Sequence, residues 1–424
     1  MKALASTPSS AQSDAQHGSV DAALRSRAQR VVPGGMWGHL NAAALPSNYP
    51  QFFARSEGCR LWDVDGREYV DLMCSWGPIL LGHHHSTVDQ AYAEQAAKGA
   101  CMNGPAAVMV ELAEHMVDQI GHADWVQFQK NGTDATTTCV TAARAGTGRR
   151  KILAARAAYH GAVPWCSPSL VGVTSEDRAH IIYFDYNSVE SLNAAVAEAG
   201  TDLAAILVSA FRHDIGRDQE LPTPAFAQAA RAAATAADAA LILDDVRAGF
   251  RLHAGGSWEI LGVRPDMSAY SKAIANGYPL AAVAGNDRFR DAVSRVYVTG
   301  SFWCEAPPMA AALATQRLVQ SGNVIAHIEA MGQRLRDGLS DLSRQAGIGI
   351  RQTGPVQMPT VLFDDDADVA KGRLFCNAAL RAGAYFHPRH NMFLSAAHQP
   401  EDIDRALSAA AAGFEALVQA GVGR

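Results

Sequence analysis

The chain has 424 residues, of which 48% are hydrophobic and 18% charged, and its formal net charge is −6. That balance is that of a globular protein with one large domain or two to three smaller ones. The negative charge speaks against a nucleic-acid binder, which needs a basic face, and gives no attraction to an anionic membrane, and no apolar run approaches the ~18 residues of a membrane span. The seven cysteines, odd in number and without a Cys-x-x-Cys pair, suit reduced thiols and a cytoplasmic location.

Residues 1–20, rich in Ser, Ala and Gln, read as a loose tail and not as a signal peptide. The pattern predicts a short helix over 21–32, stopped by Pro33-Gly34-Gly35. The stretch 59–73 reads as two strands about the Asp65-Gly66 turn, followed by helices over 86–99 and 105–120. Strands and helices then alternate: strand 125–130, helix 133–148, strand 151–155, strand 204–210, helix 223–239, strand 240–246 and strand 282–285. Continuous apolar strands between helices predict an α/β fold with a mostly parallel sheet covered on both faces, which binds ligands at the carboxyl ends of its strands. From residue 306 the chain turns helix-rich, with strand-like pieces near 350–364 and 384–395, as expected of a smaller C-terminal domain.

Six lysines stand against 30 arginines, and only Lys272 follows an apolar, small-residue strand pattern and precedes a Gly-containing turn. A lysine there either snorkels from a strand terminus or is held neutral by burial and acts as a nucleophile. Asp244 and Asp245 close a strongly hydrophobic strand 28 residues earlier. Side chains alternate along a strand, so only one of the two acids faces a given ligand. Such an acid is a helix cap or needs a cationic partner. Pyridoxal phosphate (PLP) is one, because its protonated ring nitrogen pairs with a carboxylate while its aldehyde condenses with a lysine. A phosphate site is available at the predicted helix start, where Gly132 permits close backbone approach and Thr133 offers a hydroxyl. Tyr159 and His160 follow another strand end; they are either loop residues or a flat-ring platform opposite Val246. The run His83-His84-His85 suits a structural loop better than a metal site, since adjacent histidines do not share a face.

These elements stand in the order phosphate loop, aromatic, acid, lysine. The segments 74–88, 131–136, 159–161, 243–251, 271–279 and 393–407 together make the chain resemble the class III PLP-dependent aminotransferases of fold type I, including glutamate-1-semialdehyde aminomutase. The resemblance implies an α/β large domain at 76–305 and a small α+β domain built from 21–75 and 306–424. It implies that Lys272 carries the cofactor and serves as general base, that Asp244 pairs with the ring nitrogen, and that Tyr159 and Val246 flank the ring. Asn131, Gly132 and Thr133, with His160 nearby, would complete the cofactor site. Ser301 would reach the phosphate of a neighbouring subunit, which implies a homodimer with shared active sites.

Three departures concern the substrate. Asn131-Gly132-Thr133-Asp134 replaces the common Ser-Gly-Thr-Glu, Ser209-Ala210 a Glu-Pro, and Glu305-Ala306 an Asn-Pro. The segment 33–46 carries Met36, Trp37 and His39 and no arginine, which with Trp76 suggests an apolar mouth, or packing at a subunit interface. Segments including "PGGMWGH", "AFRHD" and "HNMFLSAAH" look like the subgroup that deaminates long-chain amino polyols such as hydrolysed fumonisin, with pyruvate as acceptor. Arg212 and Arg389 are the candidates for the acceptor carboxylate. An aminomutase, a β- or D-amino-acid aminotransferase, or a non-catalytic relative are the alternatives on this scaffold.

Overall fold

The computed structural model describes residues 19–38, 40 and 49–422. The expected tail lies almost wholly outside these residues, as does His39. The first helix, Ser19–Val31, ends before Pro33–Gly35, where Gly34 takes a φ of 72° that a side chain would oppose. Three antiparallel strands follow: β1 (Phe53–Glu57), β2 (Arg60–Asp63) and β3 (Glu68–Asp71).

The centre of the molecule is a seven-stranded sheet of β4 (Trp125–Gln129), β5 (Lys151–Ala155), β6 (Ile181–Phe184), β7 (Leu203–Ser209), β8 (Ala240–Asp244), β9 (Met267–Tyr270) and β10 (Ala281–Gly285). The strand order is β4-β10-β9-β8-β7-β5-β6. Only β10 runs against its neighbours, so the last residues of β4, β5, β7, β8 and β9 reach the same edge of the sheet. This is the mostly parallel, two-sided sheet that the apolar strands predict. Alternate residues of β8 serve its two faces: Ala240 and Ile242 pack with Ala135 and Cys139 of helix Gly132–Thr147, while Leu241 and Leu243 pack with Phe226 and Trp258.

Past β10, helices Ala306–Ser321 and Val324–Ala346 lead to a hairpin of β11 (Ile350–Thr353) and β12 (Thr360–Phe363). The short β13 (Ala384–Tyr385) then pairs in parallel with β3, which binds the C-terminal part of the chain to the N-terminal part in one sheet. The carbonyl of Phe386 accepts a hydrogen bond from the Tyr49 hydroxyl at 3.0 Å across the same junction. Strands β1 and β6 and helix Val189–Ala199 are absent from the sequence-based outline. β1 is a largely exposed, partly charged edge strand, and β6 has only four residues, too few to show a period.

Candidate active site

The carboxyl edge of the central sheet encloses a cavity of about 240 Å³. Lys272, Asp244, Val246, Tyr159, His160, Asn131, Gly132 and Thr133 all line it, although they come from four separate strand ends. Lys272 follows β9 by two residues and has a φ of 48°, a strained left-handed conformation for a residue with a side chain. No described residue gives its amine a hydrogen bond or ion pair. Burial, and secondly the Arg247 charge, push its pKa well below 10.5 against the opposing pull of Asp244. The amine is therefore held toward the neutral, nucleophilic form.

Parity along β8 separates the two acids. Asp244 shares the face of Ala240 and Ile242 and turns to the cavity, where its Oδ2 lies 2.7 Å from His160 Nδ1 and its Oδ1 accepts a 3.2 Å hydrogen bond from the Val246 amide. Asp245 turns away and accepts hydrogen bonds from the Ser257 amide, at 2.8 Å, and hydroxyl, at 2.5 Å. Burial raises the Asp245 pKa to about 6. His160 is thus the residue that positions Asp244, and the local sequence did not distinguish this from a loop histidine. Its Nε2 is buried without a partner, and its carbonyl accepts a 2.7 Å hydrogen bond from Thr136 Oγ1.

Asn131 caps helix Gly132–Thr147: its side chain accepts the Asp134 amide at 3.1 Å while Asp134 accepts the Asn131 amide at 3.2 Å. Asn131 and Asp134 thus form the same kind of box that Ser-Gly-Thr-Glu would, and it leaves the first helical N–H groups free for an anion. A Cβ on Gly132 would lie 2.7 Å from Val246, and one on Gly161 would lie 2.7 Å from the Thr133 hydroxyl at a φ of +129°. Both glycines keep backbone low at the cavity wall.

The remaining expected site residues lie outside this cavity. Arg212 is tied to Glu220 by a 2.7 Å ion pair and a reciprocal backbone bridge, so its charge is already matched. Arg389 is exposed and lies over Gly216. Met36 is half-buried, and Trp37 and Ser301 are exposed. Trp76 stands at one remove, edge-on to His387 and to His390 at ring separations of 5.4 and 5.0 Å. His83 and His84 each face an aspartate, Asp71 and Asp89, at 2.9 and 3.0 Å. Five cavity residues went unassigned in the sequence: Thr136, Gly161, Ser271 and the two ionisable ones, His213 and Arg247. Burial and the Arg247 charge hold His213 neutral. Both ionisable residues lie inside recognised segments, "FRHD" and "LDDVRAGFR", and the available signal was an arginine two residues after a strand-end acid pair.

A family model described as aminotransferase class-III matches residues 43–408. The chain belongs to the class III aminotransferases. It is 46% identical over 396 residues to the aminopentol aminotransferase of Sphingopyxis macrogoltabida, a match covering 93% of this chain and 94% of that one. It is 31% identical over 411 residues to a glutamate-1-semialdehyde 2,1-aminomutase of Desulfitobacterium hafniense, covering 91% and 95%. The solved PLP form of the FumI protein of Sphingopyxis sp. MTA144 superposes with a TM-score of 0.94 at 45% identity, covering 95% of this chain and 97% of that one. The fold is that of the fold type I transferases, and the cofactor of this class III aminotransferase is PLP.

The cavity fits that group. It offers an unpartnered amine on a half-buried lysine, a strand-end carboxylate, a helix amino terminus and two glycines where a Cβ would intrude. When bound, PLP supplies an aldehyde for a lysine and a ring that takes up the electrons left when a substrate carbon loses its proton.

Proposed function

We propose that this chain is an amine:keto-acid aminotransferase that takes long aliphatic primary amines and passes the amino group to pyruvate. The supporting observation is the Lys272–Asp244 cavity in a chain 46% identical, over nearly its full length, to an aminopentol aminotransferase. Lys272 would bind the cofactor and, once displaced by the substrate amine, carry the proton from the substrate carbon as general base. Asp244, positioned by His160, would hold the ring nitrogen protonated, and Tyr159 and Val246 would confine the ring. Gly132, Thr133 and the helix amino terminus behind them would hold the phosphate.

The chain would act as a homodimer in the cytoplasm, with a small domain built from residues 21–75 and 306–424. Exposed apolar residues near Ser301 support the dimer: Tyr297 is 93% and Phe302 63% exposed. The same segment borders an outer groove of about 960 Å³ with Val110 and Trp303, apart from the Lys272 cavity. Ser301, exposed in one chain, would complete the partner's phosphate site. The seven cysteines are all unpaired, as suits a reducing compartment.

The test is an absorbance titration of the purified protein. A long-chain primary amine alone bleaches the cofactor band near-stoichiometrically with release of one carbonyl product, and pyruvate restores the band with formation of one alanine. Turnover without any keto acid would indicate an aminomutase, and no spectral response would refute the proposal.

A further inference from the structure

Arg247 is the one cationic cavity residue, apart from Lys272, whose chemistry the cofactor assignment leaves unused. Its side chain belongs to the loop after β8 and is only 7% exposed, yet it makes no ion pair among the described residues. One guanidinium nitrogen, Nη1, donates to His390 Nε2 at 3.0 Å and to Asn391 Oδ1. The Nε group is buried without a hydrogen-bond partner. His390 Nδ1 lies 2.6 Å from the carbonyl of Asn391, so Nδ1 carries the proton and Nε2 is the acceptor that Arg247 requires. Burial, and then the Arg247 charge, hold His390 neutral. The C-terminal segment thus fixes one corner of the fork and leaves the rest directed at the cavity.

A buried guanidinium without a carboxylate partner is unfavourable unless a ligand completes it. The expected donors carry no carboxylate, whereas a keto acid carries one. A planar fork held by one nitrogen suits bidentate capture of a carboxylate. Arg212 and Arg389 are matched or exposed, and neither lines the cavity. Resting on the aminotransferase reading, we propose that Arg247 binds the carboxylate of the keto-acid acceptor. While an uncharged donor occupies the site, His390 and Asn391 keep Arg247 partly satisfied, so one cavity serves a carboxylate and an aliphatic chain in turn. The segment 387–391, with Trp76 edge-on to its two histidines, is then the part of the wall that fixes the arginine.

The test compares pyruvate with propanal, an acceptor of the same length without the carboxylate, in PLP-loaded wild type, Arg247→Met and Arg247→Lys. The ratio of kcat/KM for pyruvate to that for propanal falls on the order of 100-fold in Arg247→Met, and roughly 10-fold in Arg247→Lys, which keeps a charge but loses the fork. Calorimetric binding of propionate, which cannot react, is present in the wild type and lost in Arg247→Met. If the methionine variant does not fold, the lysine variant carries the comparison. An unchanged ratio, or undiminished propionate binding, overturns the proposal. An equal fall with both acceptors, with a displaced cofactor absorbance maximum, also overturns it, because the arginine then serves the cofactor. Failure of the aminotransferase reading would show separately, as a wild type that forms no ketone with either acceptor while propionate binding still reports on Arg247.

Discussion

At the scale of single residues, the reactive site is held in conformations and charge states that folding alone disfavours. Lys272 combines a φ of 48° with an enclosed amine beside a second cation, Arg247. Its pKa is lowered by burial first and by Arg247 second, so over the pH range between its folded and unfolded values the unfolded chain binds a proton that the folded chain does not. Stability of the cofactor-free protein therefore falls as pH drops through that range, and the penalty vanishes above the ordinary lysine value of 10.5. Lys272→Met removes the titrating group and keeps most of the volume. The cofactor-free variant should be more stable than cofactor-free wild type at pH 7, by at least on the order of 1 kcal/mol. The gap should close as pH approaches 10.5. Denaturant titrations at several pH values measure it. A wild type as stable as the variant throughout would mean that the amine is not held neutral.

At the scale of elements, buried arginines tie loops of the two sheets together around the lysine. Arg251 is fully buried and donates to the carbonyls of Leu394 and Gly77, each at 2.7 Å, and of Ile79 at 2.6 Å. The loop it grips is strained, with Cys74, Ser75 and Trp76 at φ values of 46°, 53° and 67°. It also passes close to the reactive group, since a Cβ on Gly77 would lie 3.4 Å from Lys272 Cδ and 2.9 Å from Phe393. Arg251→Met leaves three carbonyls without their donor, at a cost of about 1–3 kcal/mol each. The expected outcome is a clearly lower thermal midpoint and weaker retention of PLP, with Arg251→Lys intermediate. A variant that matches wild type in both would show that the loop holds itself. Such ties were illegible in the sequence, because an arginine seven residues after a strand gives no sign of which carbonyls it will meet. What could be read was what repeats or alternates. The apolar β7 and β8 gave the parallel sheet, the parity of Asp244 and Asp245 gave one inward acid, and Gly132-Thr133 after a strand marked a helix start. The pairing of His160 with Asp244 spans 84 positions and became visible only once β5 and β8 lay in one sheet.

At the scale of the molecule, two large apolar side chains flank Ser301 in sequence and stand exposed in the single chain. Tyr297 and Phe302 project beside the outer groove, and Val110 on helix Val108–Gln119 is also exposed. An apolar patch of that kind is seldom left to water, and two-fold symmetry would use it twice in one closed dimer. Ser301 lies between those aromatics in sequence, so covering the patch with a second copy would carry it toward the partner. Assembly and cofactor binding are then linked, and a substitution at the patch should weaken both. In Tyr297→Asp/Phe302→Asp the introduced charges would lose solvation wherever the second copy covers them. The wild type should sediment with the mass of two chains. The double variant should sediment as one and require on the order of 10-fold more PLP for half-saturation, a lost ligand contact being worth about 1.4 kcal/mol. Ser301→Ala should remain dimeric while losing part of the same affinity, which separates the hydroxyl's contribution from assembly. A wild-type monomer that holds PLP tightly would remove the second copy from the site.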